Sequence, residues 1–80
     1  MPLYWLCYRH NDQIAVVIQP AASLVHAKMY STLAKLAEGE FTEGHQLPHN
    51  WRVPREMIGR RLSEEEAKKL LAKFANPRTD

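Results

Sequence analysis

Four histidines, one cysteine and an arginine-rich stretch are the residues of this 80-residue chain whose types and spacing bear most directly on chemistry. His45 and His49 stand four apart, the spacing of two zinc ligands on one helix face. Pro48 lies between them and breaks such a helix, and no second ligand pair clusters elsewhere. His10 falls in a turn and His26 in a helical run, so the histidines are expected to be scattered hydrogen-bonding residues and no metal ligand is assigned. Gly39 and Gly44 bracket GEFTEG, but no Lys-Ser/Thr follows, and Glu40 and Glu43 would repel a phosphate. That segment is better explained as a helix stop followed by a turn or bulge. Cys7 sits among apolar residues as a small hydrophobe rather than a thiolate nucleophile, and a lone cysteine builds no internal disulfide framework.

Hydrolytic catalysis needs a nucleophile, a base and an orienting group within mutual reach. The only aspartates are Asp12 and Asp80, and Ser23 and Ser63 are placed as helix caps. Glu64, Glu65 and Glu66 form a charge run at a helix start, where carboxylates offset the positive end of the helix. No catalytic residue and no cofactor site is assigned, and the expected function is non-enzymatic.

The arginines carry the main alternative. Within residues 52–61, Arg52, Arg55, Arg60 and Arg61 stand against one acid, Glu56, and Trp51 beside them offers a face for base stacking. PREMIGRRL followed by SEEEAKKLLAKF resembles the outline of a helix-turn-helix. A recognition helix presents its N-terminal residues to the major groove, whereas this one begins Glu-Glu-Glu. Nucleic-acid binding through Trp51, Arg52, Arg55, Arg60 and Arg61 therefore stands as the second expectation. The same stretch also holds Val53, Met57, Ile58 and Leu62, apolar residues suited to a strap lying over the core with its arginines turned outward.

A formal net charge of +2 is too small to announce a polyanion partner by itself. With 45% hydrophobic and 25% charged residues the composition is that of a globular domain, not of a disordered segment. One domain is expected over residues 1–76, with 77–80 as a frayed tail. The apolar start has no basic leader and no cleavage site, and no run approaches the roughly 20 apolar residues that cross a bilayer. Neither helical segment pairs a basic face with a bulky aromatic one. A cytoplasmic protein without membrane contact is the expectation.

The elements that position these residues are legible in the hydrophobic pattern. LYWLCYR and IAVVI flank HNDQ, whose Asn11-Asp12 pair tolerates positive φ, and this predicts a β-hairpin. A two-residue loop sets Tyr8 opposite Ala15, Leu6 opposite Val17 and Tyr4 opposite Gln19; Pro20 ends the second strand. Residues 22–39 predict a helix capped by Ser23, closed by Gly39, with Ala22, Val25, Met29, Leu33 and Leu36 as its core stripe. EFTEGHQL is a third strand near 41–47, with Gly44 as a bulge, and VPREMIG a short helical turn begun by Pro54 and closed by Gly59. Ser63 and Glu66 form a capping box opening a last helix, with Ala67, Leu70, Leu71 and Phe74 as its apolar stripe and Asn76-Pro77 as its stop. Glu64–Lys68 and Glu65–Lys69 are its i,i+4 pairs.

The fold class expected is α+β, in the order β-β-α-(β)-short α-α, with two helices packed on one face of the hairpin. Covering one face leaves Tyr4, Leu6, Tyr8, Ala15 and Val17 outside. These five residues form the candidate interface of a homodimer, since an apolar patch of that size marks an interaction surface. The alternative is that the long loop 39–53 folds over that face and leaves a monomer; an unidentified protein partner is a further expectation.

Overall fold

Alternation along residues 3–9 and 14–18 puts large apolar side chains on both sides of one ribbon. The computed structural model, which describes residues 1–75, shows what covers each side. Strands β1 (Leu3–His10) and β2 (Gln13–Pro20) form the hairpin. Asn11 and Asp12 have φ of 52° and 63°, the type I′ geometry whose twist matches the strands. Its register is the expected one, with Tyr8 opposite Ala15, Leu6 opposite Val17 and Tyr4 opposite Gln19.

Two further strands complete an antiparallel sheet in the order β3-β1-β2-β4. The expected third strand is β3 (Glu40–Gln46). Its bulge lies at Thr42 rather than Gly44, because the pairing steps from Glu43–Cys7 to Phe41–Tyr8. Thr42 Oγ1 donates to the Cys7 carbonyl at 3.1 Å, which meets a polar group that the broken ladder would otherwise strand. Gly44 serves close approach instead: a Cβ there would lie 3.0 Å from Leu24 and 3.1 Å from Leu6. Strand β4 (Arg61–Ser63) pairs with β2 and was not anticipated. Three residues are too few for a period to register, although its centre, Leu62, is fully buried.

Helix α1 (Leu24–Leu33) is capped as expected, the Ser23 side chain accepting from the His26 N–H. It ends earlier than expected, at Leu33. Lys35 takes the left-handed conformation with φ 60°, while Leu36 N–H donates to Ser31 and Lys35 N–H to Thr32, a Schellman closure built without glycine. Gly39, expected to close the helix, has φ +99° at the entry to β3, where a Cβ would stand 2.5 Å from the Arg9 carbonyl oxygen. The chain crosses from β3 through a 3₁₀ turn at Arg55–Met57, preceded by Pro54. Helix α2 (Glu64–Ala75) follows β4 directly. Its capping box forms reciprocally, Ser63 N–H to Glu66 and Glu66 N–H to Ser63 Oγ. Glu64 and Lys68 approach to 3.7 Å. Ala67 and Leu70 are buried and Leu71 is partly exposed. The Phe74 side chain, the Asn76-Pro77 stop and the tail at 77–80 lie outside the described residues.

The α+β class and element order stand, but the two helices do not share a face. Trp5, Cys7, Val16, Ile18, Leu47, Leu62, Ala67 and Leu70 make one cluster, with Trp51, Val53, Met57 and Ile58 of the proline-bounded strap packed against it. Tyr4, Leu6, Tyr8, Val17, Ala21 and Ala27 make the other, with Leu24, Leu36 and Phe41 against it. Consecutive strand residues point to opposite faces, so α2 and the strap cover one side and α1 covers the other. Among the described residues no helix is long and apolar enough to cross a membrane.

Burial separates two leucines that the pattern alone treats alike. Leu6→Ala should cost about 2–5 kcal/mol in urea unfolding, and Leu33→Ala no more than about 0.5 kcal/mol at low protein concentration.

Candidate interaction surface

The five residues proposed for a hairpin interface are interior in the single chain. Tyr4, Leu6, Tyr8, Ala15 and Val17 are all buried, and α1 lies over their face of the sheet. Tyr8 meets Phe41 edge-on, with ring centroids 5.6 Å apart. Burial pushes the Tyr8 phenol above its ordinary range, and the nearby Arg61 charge pulls the other way. The expectation of an outward hairpin face is corrected: one helix suffices to cover it, because the cover lies close.

That closeness comes from small residues. Ala27 and Ser31 are fully buried on the inner side of α1, as is Ala21 just before it. The bulk of the layer comes from the sheet. At 100° per residue, Val25, Met29 and Leu33 then fall on the opposite side of the helix, and they are 74%, 45% and 73% exposed. Of the stripe expected to form the core, Val25, Met29 and Leu33 thus face outward, while Leu36, beyond the helix, packs against the α1-side cluster. On one flank His26 stacks on Tyr30 at 6.2 Å. On the other, Lys28 Nζ stands 4.1 Å from the Phe41 ring centre, a cation–π contact that draws its charge toward the sheet. From Gln13 to Ala37 the chain has no acidic residue.

The arginines do not converge. Arg60 donates to the Glu56 carbonyl and to Glu66 Oε2, both at 2.8 Å, beside the start of α2. Arg61 points to the α1 side, its guanidinium bridging the Leu36 carbonyl at 2.6 Å and the Glu38 carbonyl at 2.9 Å. Arg60 thus ties the 3₁₀ turn to the start of α2, and Arg61 ties β4 to the connection between α1 and β3. Arg52 and Arg55 remain exposed, and Trp51 is half-buried against the α2-side cluster.

A groove of about 650 Å³ opens at the hairpin end, lined among others by His10, Gln13, Glu38, Arg61, Ser63 and Glu64. Several of its polar groups are engaged with one another: His10 Nε2 stands 3.8 Å from Glu38, and Ser63 and Glu66 close the start of α2. Hydrogen bonds from Arg60 and from the Ser63 N–H hold the Glu66 carboxyl at about 2, far below its ordinary value. No group of three or more metal-ligating side chains converges among the described residues. What these contacts assemble is a brace for β4 and α2, and the outer face of α1 is an apolar surface left exposed.

No family model matches the chain, no similar curated protein is found, and no solved structure resembles it.

Removing the Arg61 fork in Arg61→Ala should cost about 1–3 kcal/mol in urea unfolding, because two carbonyls lose a charged donor. Arg61→Lys should recover only part of that loss, since an ammonium cannot span both oxygens. For Glu66, a folded-state pKa depressed from 4.5 to about 2 means stability fully present above pH 4.5 and lost as pH falls through 2. Acid unfolding curves of the native chain and of Glu66→Gln should therefore converge over that window, and a Glu66 carboxyl signal titrating near 4.5 by NMR would contradict the capping geometry.

Proposed function

We propose that the protein is a non-catalytic protein–protein interaction module whose contact surface is the outer face of α1. The observation that carries this reading is the exposure of Val25, Met29 and Leu33 in one row on a well-capped helix. Single exposed apolar residues are ordinary, but a contiguous row rimmed by polar side chains marks a contact surface. Methionine at its centre suits such a role, being unbranched and able to follow a partner's contour. A cytoplasmic, reducing setting belongs to the same reading and keeps the buried Cys7 a thiol.

Where four arginines were expected to act together, the nucleic-acid reading retains Arg52 and Arg55, since Arg60, though exposed, is engaged with Glu66 and Arg61 with the Leu36 and Glu38 carbonyls. Two phosphate contacts would give a shallow salt dependence and weak binding.

A benzophenone-bearing amino acid placed at Leu33, in the cells that make the protein, tests the surface without presupposing its occupant. Irradiation should yield a discrete protein adduct from Leu33 and none from Lys69, an exposed position on α2. Equal adducts from both positions, or none from Leu33, would overturn the assignment.

A further inference from the structure

We infer that the occupant of this face is a second copy of the same chain, its α1 lying antiparallel across the first with Met29 at the two-fold axis. This rests on the reading of α1 as a contact surface and names what fills it. Val25, Met29 and Leu33 are spaced i, i+4, i+8, so the row is symmetric about its middle residue. Antiparallel pairing sets Val25 of each copy against Leu33 of the other and Met29 against Met29, over a row about 12 Å long at 1.5 Å per residue. Such a contact is self-complementary, as a two-fold interface must be.

The direction follows from charge. Helix α1 has no acidic residue in its first turn and no basic residue in its last, so within the helix no side-chain charge offsets its dipole, and the Arg61 guanidinium on the Leu36 carbonyl meets it only beyond the C-terminal end. An antiparallel copy brings the negative end of one helix beside the positive end of the other; a parallel copy would set like ends together. An antiparallel pair about Met29 also brings the two Lys28 side chains to the same flank. Each is turned onto its own Phe41 ring, 4.1 Å from the centroid, and so leaves the seam.

The area sets the strength. One short helix face buries roughly half of the 800 Å² per partner that a standard stable interface uses. The dimer is therefore weak and rapidly exchanging, with a dissociation constant on the order of 10 µM or above. Both sheet edges are poor competitors for self-association. β4 is three residues long, and β3 is bulged and carries exposed Glu40 and Glu43.

Sedimentation equilibrium of the purified chain should show reversible dimerisation between about 10 µM and 1 mM. Met29→Lys and, separately, Leu33→Lys should abolish it with the far-UV spectrum and thermal unfolding at low concentration retained. Orientation is read by oxidative cross-linking. Met29→Cys should link to itself, and Val25→Cys should link readily to Leu33→Cys when the two are mixed. Val25→Cys alone should link at least tenfold more slowly, because its two copies lie at opposite ends of the seam. The native Cys7 is buried and does not compete. A chain that stays monomeric to 1 mM, or a Val25→Cys protein that self-links as fast as the Met29→Cys one, overturns the inference. If the Leu33 photoadduct described above contains a different protein while the pure chain stays monomeric, the second copy is excluded and the contact surface stands. Absence of both adduct and dimer removes both.

Discussion

A hairpin that is apolar on both faces sets the terms for everything else in this chain. Antiparallel sheets commonly leave one face to water, and a bare hairpin is marginal on its own. Here β1 buries Tyr4, Leu6 and Tyr8 toward one side and Trp5 and Cys7 toward the other, so two covers are needed from 80 residues. The solution is two thin layers. One is a single ten-residue helix. The other is α2 supplemented by a proline-bounded strap whose Trp51, Val53, Met57 and Ile58 fill what one helix leaves open.

The thinness of the first layer explains the odd character of α1. With Tyr4, Leu6, Tyr8 and Phe41 rising from the sheet, little volume is left beneath the helix. Interiors pack near crystalline density, so large helix residues facing inward would hold the helix away from the sheet. Alanine at 21 and 27, serine at 31 and glycine at 44 let it settle. A search for the core by apolar spacing chooses the large residues and lands on Val25, Met29 and Leu33, which are on the wrong side. The periodicity was present; the assumption that the bulkier stripe faces inward was what failed. Nothing in α1 alone reveals it, because the deciding volume belongs to the strands beneath the helix.

Features governed by neighbours in sequence were the legible ones. Asn11-Asp12 fixed the hairpin register, and Ser23 and the Ser63–Glu66 box fixed two helix starts. The strap was also legible, since Pro48 and Pro54 punctuate it and its apolar residues had no other place to go. Features that depend on contacts across the fold were not. Lys35 takes a left-handed conformation where Leu36 turns into the α1-side cluster, and the bulge at Thr42 shows only in its pairing with β1. Arg60 and Arg61 show the same limit for the candidate site. Adjacent in sequence, they were counted as one basic patch, yet strand alternation sends Arg61 to the α1 side while Arg60 turns back to the start of α2. Charge along a chain becomes charge on a surface only once the backbone period is known.

Folding gives no reason for large apolar residues at positions 25, 29 and 33. Val25 and Leu33, about three-quarters exposed, remove little area from water within one chain, and β-branched Val25 is a poorer helix former than Lys, Glu or Gln would be there. The sheet edges are treated differently: β4 is cut short, and β3 carries a bulge and two exposed glutamates, devices that blunt strand-to-strand association. A chain that closes its edges and leaves one helix face apolar offers that face, rather than a strand edge, as the proposed contact surface. Two features together single out α1 as the proposed contact surface: the exposed apolar row along the helix and the edges that the sheet keeps shut.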